Sequence, residues 1–332
     1  MIRRARSRAT GSRRPSAYPA LDFSRIKTYS VSARPSKVRA QDAGRPHRKG
    51  QSFAGFLDGL PDILAARTLR AVVADVARAA RARRPVIVGM GAHPIKVGLN
   101  PLLVDLMKRG VIACLAMNGA GIIHDLELAL AGKTSEDVEA GIDDGSFGMA
   151  RETADLLNGA IAHGAKQRIG LGQAVGDLIC HGPFPFKQLS LLAAGSRLGI
   201  PITVHVAIGT DIIHMHPSAD GAAIGATSME DFKRFTAVVA HLEGGVYINL
   251  GSAVLLPEVF LKALTVARNL GRRVDHFTTV NMDFSQQYRP VTNVVRRPTQ
   301  AGGCGYTLTG HHEIMFPLLA AAVIEALAGR RT

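Results

Sequence analysis

Two histidines two residues apart follow an aspartate in the stretch Gly209-Thr-Asp211-Ile-Ile-His214-Met-His216. Imidazoles beside a carboxylate suit proton transfer near neutral pH or metal binding. The spacing is neither HExxH nor a closed zinc set, so no metal ligand is assigned; His214 and His216 are read as acid–base or hydrogen-bonding groups with Asp211 as an orienting partner, and metal binding is the competing reading. A second cluster, His311-His312-Glu313, opens the last apolar stretch. Three glycine-bearing segments also stand out: Gly89-Met-Gly91-Ala-His93-Pro-Ile-Lys96, Asn118-Gly119-Ala-Gly121-Ile-Ile-His124-Asp125 and Asn249-Leu-Gly251-Ser252. Glycines ahead of a helix let backbone N–H groups approach a phosphate, although none of these is a GxGxxG and tight turns need glycine too.

Each of these segments follows a short apolar run, which fixes the kind of scaffold expected. Runs of strand type occur at Pro85–Met90, Val111–Met117, Ile202–Val206, Val246–Leu250 and His276–Val280. Between them lie segments with helical spacing at 53–82, 98–109, 122–130, 186–198, 228–242, 257–270 and 313–327. Alternation of strands apolar on both faces with helices predicts a doubly wound, mostly parallel α/β sheet, in which ligands bind beyond the carboxyl ends of the strands. Asn281-Met-Asp283 then falls at such an end as well, and Asp283 joins the candidate residues.

The net charge of +14 resembles a nucleic-acid signal until it is located. Residues 1–50 hold 14 Lys+Arg and 2 Asp+Glu, a net of +12, which leaves 26 basic and 24 acidic groups, or +2, for the remaining 282. We therefore expect a basic, disordered arm over 1–50 and one α/β domain over 51–332, with no nucleic-acid function assigned to the arm because it lacks a reading motif. Its Arg- and Ser-rich start also suits a transit peptide, but not a secretory signal. Three scattered cysteines argue against a disulfide framework, so a reducing, cytoplasmic setting is expected. No run of 18 apolar residues is present, so no membrane span is expected.

The order and spacing of these motifs resemble the deoxyhypusine synthases from Pro85 to Ala328. Asn118-Gly-Ala-Gly121-Ile-Ile-His-Asp125-Leu is similar to that family's Thr-Ala-Gly-Gly-Ile-Glu-Glu-Asp-Leu turn, and Asp211-Ile-Ile-His-Met-His216 to its Asp-Met-Ile-Tyr-Phe-His. Val280-Asn-Met-Asp283-Phe resembles Ala-Gln-Glu-Phe-Asp, and Ile314-Met-Phe-Pro317-Leu-Leu resembles Val-Phe-Pro-Leu-Leu. The resemblance implies a Rossmann-like, NAD-binding fold and a homo-oligomer, a tetramer by analogy. It assigns Gly89, Gly91, Asn118, Gly119, Gly121, Asp125, Gly251 and Ser252 to the cofactor, and His216, Asp211, His214 and Asp283 to catalysis or to holding a cationic substrate.

One departure limits the transfer. Leu256 stands where the family's Gly-Gly-Gly-Val-Val-Lys-His-His loop has the lysine assigned here to imine formation, and leucine is no nucleophile. The chain also has no tryptophan to line a polyamine site. Lys96 and Lys262 are the substitute nucleophile candidates. The expectation is an NAD-dependent transferase or amine-oxidising enzyme acting on a small amine or amino-acid-like substrate, not a true deoxyhypusine synthase. The alternatives are an NAD-assisted deaminase or cyclodeaminase and a non-catalytic NAD-binding regulator.

Overall fold

A computed structural model of the protein describes residues 17–329. The first 16 residues of the expected arm, and with them most of the transit-peptide reading, lie outside the described residues. The chain divides into two compact units, Met1–Gln41 and Asp42–Thr332. In the first, residues 17–41 are exposed throughout and contain the short 3-10 turns Phe23–Arg25 and Val31–Ala33.

The second unit opens with α1 (Phe53–Gly59) and α2 (Leu64–Arg81), followed by β1 (Val86–Met90), α3 (His93–Lys96), α4 (Asn100–Lys108) and β2 (Cys114–Asn118). Helices α5 (Gly119–Ala131), α6 (Val138–Ile142), α7 (Arg151–Gln167), α8 (Leu171–His181) and α9 (Leu191–Leu198) lead to β3 (Ile202–His205). After α10 (Gly221–Val239) come β4 (Val246–Leu250), α11 (Leu255–Asn269) and β5 (Thr278–Asp283). The unit closes with α12 (Tyr288–Pro290), β6 (Cys304–Thr309) and α13 (His312–Ala328).

The six strands form one sheet in the order β3-β2-β1-β4-β5-β6, with every pairing parallel. This is the doubly wound α/β architecture expected from the alternating pattern. The chain reverses its direction of travel between β1 and β4, and an open parallel sheet leaves a crevice at that switch point. Alternate residues of each strand serve opposite faces. Val86, Val88 and Met90 join one core with residues of α2, α4 and α13, while Ile87 and Tyr247 join Phe235 of α10 and Phe260 of α11 in the other. Tyr247 stacks on Phe260 with ring centroids 3.8 Å apart and planes 2° from parallel.

Several element boundaries differ from the sequence reading for physical reasons. Pro61, which lacks an N–H, falls in the break between α1 and α2 within the single helix expected at 53–82. Helix α10 starts at Gly221, about two turns before the expected 228, because Asp220 caps it through the Ala222 and Ala223 amides. Helices α7 and α8 and strand β6 had no counterpart in the sequence reading. The free edge of β3 is covered by α10: Asp231 Oδ2 accepts from Val204 N at 2.9 Å and from Gly172 N at 2.8 Å, and Ser228 Oγ donates to Val204 O at 3.2 Å. Side chains here take the place of a seventh strand.

Candidate functional site

The turns that leave β1 and β4 touch at the switch point. Gly91 N donates to Leu250 O at 3.2 Å, and a Cβ on Gly91 would lie 2.5 Å from Gly251 O, so a side chain there would force the turns apart. Beyond Gly251, whose φ is +65°, Ser252 Oγ accepts from Leu256 N at 3.2 Å and anchors the start of α11. Register sets Asn249 beside Asn281. Asn249 Nδ2 donates to Ser252 O and to Asn281 Oδ1, Asn281 Nδ2 to Gln286 Oε1, and Gln286 Nε2 to Thr309 Oγ1, all within 2.7–3.1 Å. These amides tie the ends of β4, β5 and β6 together. The chain of donors leaves Asn249 Oδ1 buried without a partner, a state that natural proteins rarely leave unexplained.

At the end of β5, Asp283 faces the first residue of α13. His312 Nε2 lies 3.3 Å from Met282 O and 3.7 Å from Asp283 Oδ1, with the ring fully buried. Burial pushes this imidazole below its ordinary pKa, and the Asp283 carboxylate opposes the shift. The exposed His93, just after β1, has its ring centroid 5.3 Å from that of His312.

The ends of β2 and β3 meet in a second polar group. Asn118 Oδ1 caps α5 by accepting from Gly121 N at 3.1 Å. The position of a Cβ on Gly119 is already filled by Asp211, whose Oδ2 would be 1.9 Å away. A carboxylate thus lies on the first turn of α5, where the helix dipole and the Ala120 amide favour negative charge. Burial nevertheless raises the pKa of Asp211, with His214 pulling it down. His214 Nδ1 accepts from Gly209 N at 3.1 Å, so its Nε2 carries the proton in the neutral ring. That Nε2 and Asp211 Oδ2 are 3.9 Å apart, and both are buried without a hydrogen-bond partner.

His216 is placed differently from the expected acid–base group. Its Nε2 donates to Gly148 O at 2.9 Å, which ties the loop before α7 to the turn after β3. His214, not His216, is therefore the histidine paired with Asp211.

Other candidates lie away from the strand-end surface. Asp125 is fully buried and accepts from Asn100 Nδ2, Ser190 Oγ, Leu191 N and Leu192 N at 2.5–3.1 Å, so both oxygens are committed to the start of α9. Burial pushes its pKa up to about 6 against those donors. Gly89 makes room for the Tyr247 ring, and Gly121 for Met117. Leu256 is in the core between the sheet and α11, and Lys262 is an exposed ion-pair partner of Glu258 one turn away. Burial pushes the His124 imidazole down to about 4, and the exposed Lys96 adds to that shift. His124 Nδ1 donates to Thr134 Oγ1 at 2.7 Å, which donates to Glu127 Oε2 at 2.5 Å.

His93, Asn249 and Asn281 stand in the strand-end segments picked out in the sequence, directly after or at the end of an apolar run, but nothing in the sequence distinguishes them from their neighbours as site residues. Grooves of about 250 Å³ beside Gly172 and Pro201, and about 320 Å³ between α10 and α11, lie elsewhere. Among the described residues, no group of three His, Cys, Asp or Glu side chains is arranged to hold a metal, and no helix is long and apolar enough to cross a membrane.

No protein-family model matches the sequence, and no curated protein matches it either. Solved structures do. A conserved protein of Methanococcus maripaludis S2 assigned to the LOR/SDH group is 15% identical, with a TM-score of 0.54 over 88% of this chain and 75% of that one. A protein of Entamoeba histolytica assigned as a deoxyhypusine synthase is 11% identical, with a TM-score of 0.51 over 86% and 97%. AgrE in its ternary complex with ornithine and NAD+ is 14% identical, with a TM-score of 0.50 over 80% of this chain and 34% of that one. The fold is thus deoxyhypusine synthase-like and LOR/SDH-like. At these identities the likeness is one of fold.

Proposed function

We propose that this chain is an NAD-dependent enzyme that acts on a small amine or amino-acid-like substrate and does not transfer an aminobutyl group. The observation that carries the reading is the Asp211–His214 pair: a buried acceptor, Oδ2, and a buried donor, Nε2–H, 3.9 Å apart at a strand end and otherwise unpartnered. A substrate amine supplies the missing donor to Oδ2. Its carboxylate, or the lone pair of a departing amine, supplies the missing acceptor for Nε2–H.

The residues at the switch point fit a nucleotide. The strand order gives the crevice, the Gly91 and Gly251 turns bring backbone close to it, and Asn249 Oδ1 stands ready for a donor. Gly91, Gly251 and Ser252 would hold NAD, which when bound supplies a hydride acceptor. The first turn of α5 is a poor place for a pyrophosphate because Asp211 occupies it. Asp211 orients the amine, His214 holds a proton at Nε2, and the burial of both side chains keeps the pair from water.

A second reading, release of ammonia by deamination or cyclisation, is supported by Leu256. Its burial in the core leaves no nucleophile at that position to retain a carbon chain. AgrE, which shares the fold, contains ornithine and NAD+. The test of both readings is a panel of amines and basic amino acids incubated with protein and NAD, read at the nicotinamide absorbance band and assayed for ammonia. We expect reduction or ammonia release with at least one amine, and silence across the panel contradicts the proposal.

A further inference from the structure

We propose that His93, His312 and Asp283 form a proton relay at the switch point, in which His93 is a second acid–base group, besides His214, that meets the substrate, and His312 and Asp283 are positioning residues. The substrate is that of the function proposed above, and to this extent the inference rests on it; the relay itself rests on geometry.

The three side chains follow a gradient from surface to interior: His93 is exposed, the His312 ring is fully buried, and Asp283 is buried behind it. His312 Nε2 faces only acceptors, Met282 O at 3.3 Å and Asp283 Oδ1 at 3.7 Å, so this nitrogen carries the proton. Nδ1 must then be an acceptor, and it is buried with no partner. Natural structures rarely leave a buried acceptor without a donor. The imidazole of His93 lies centroid to centroid 5.3 Å away, inclined by 60°, and it is the ring to which we assign the missing donor.

The surroundings are shaped for this pair. Gly251 has a φ of +65°, and a Cβ there would lie 2.7 Å from His312 Cε1, so glycine makes room for the ring. Phe284 packs against both imidazoles, at 6.1 Å from His93 and 6.0 Å from His312. Burial, joined by His93, lowers the pKa of His312 and outweighs Asp283 and Glu313, the charged groups that raise it.

The proton balance is simple. When the outer nitrogen of His93 takes a proton from the substrate, His93 becomes an imidazolium whose inner N–H keeps its proton and hydrogen-bonds to His312 Nδ1, His312 keeps its own proton on Nε2, and the Asp283 carboxylate stabilises the new positive charge. The reverse step returns the proton. This is the logic by which a buried carboxylate fixes the tautomer and basicity of an imidazole, extended by one ring.

Two measurements test the relay on the full chain without nucleotide, so that its failure is distinct from failure of the NAD reading. Imidazole 15N NMR should find His312 protonated on Nε2 and bare on Nδ1, whereas a proton on Nδ1 overturns the relay. Diethylpyrocarbonate acylation, followed residue by residue by mass spectrometry, should label His93 several-fold faster than the exposed His311 in the same sample. That advantage should vanish in His312→Gln and in Asp283→Asn, with folding checked by circular dichroism, and should persist in Glu313→Gln. An unchanged His93 rate in both relay variants overturns the proposal. Should either variant fail to fold, the tautomer measured on the wild type still decides.

Discussion

Asp211 occupies the space that a β-carbon at residue 119 would need, with its Oδ2 1.9 Å from that position. Glycine at 119 is thus required by a carboxylate of the same chain. Gly119→Ala should push Asp211 off the first turn of α5 at a cost of roughly 1–3 kcal/mol, the usual range for overpacking. Asp211→Ala should remove most of that cost. Urea unfolding of the two single variants and the double variant checks this, with a strongly non-additive cycle expected and an additive one contradicting the contact.

The two histidines of the same segment should separate by function. His214→Gln removes the donor facing Asp211 and should lower turnover by roughly 10²–10⁴-fold, the usual worth of a general acid–base group. Asp211→Asn should mainly raise KM for the amine. His216→Ala should leave turnover within a few-fold, because its bond is to the Gly148 carbonyl, but should speed proteolysis of the loop before α7. Equal losses in His214→Gln and His216→Ala would contradict the assignment.

Burial pushes the Asp231 carboxyl up to about 7, with the Gly172 and Val204 amides opposing the shift. Its pKa is raised on folding from an ordinary value near 3.9. The native state therefore binds more protons than the unfolded chain between about pH 4 and 7, and this group's contribution to stability is lost as pH rises through that window. Buried His205, lowered to about 3 by burial, acts in the opposite sense below pH 6.5. The test is thus a difference: the stability of the wild type relative to Asp231→Asn should fall by a few kcal/mol from pH 4 to 7. A flat difference contradicts the shift.

Leu256→Lys is the variant that sequence resemblance alone suggests for restoring aminobutyl transfer. Because Leu256 is wholly buried among Tyr247, Phe260 and Ala263, the change should instead place an unpaired ammonium in the core and destabilise the protein by several kcal/mol. Neither wild type nor variant should modify an initiation-factor acceptor with spermidine and NAD, as read by mass spectrometry.

Much of the scaffold is legible in the sequence because β1 to β4 are continuous apolar runs, which two covered faces demand. Strand β6 is not, since it is an edge strand in which only Leu308 is buried. Helices α7 and α8 escape because glycines dilute their apolar spacing. Those glycines serve close packing, as Gly164 does against Ala174 and Gly176 against the Leu192 carbonyl. The strand-end position of Asp211 is readable, but its choice of His214 over His216 depends on a turn, Ile212–Met215, whose shape the sequence does not announce. Asp125 is the converse case. Its motif position suggests a ligand, and only burial with four donors explains it as the cap of α9.

The central claim, that the crevice between β1 and β4 holds NAD, is tested most directly by calorimetric titration of the purified protein with NAD. Saturable binding at one site per chain is expected. It should be lost when Ala253, exposed in the turn after β4, is changed to Trp, while Lys262→Ala, on the surface of α11, should leave it intact. Absence of heat with both NAD and NADP at millimolar ligand, or equal binding by wild type and Ala253→Trp, would contradict the account.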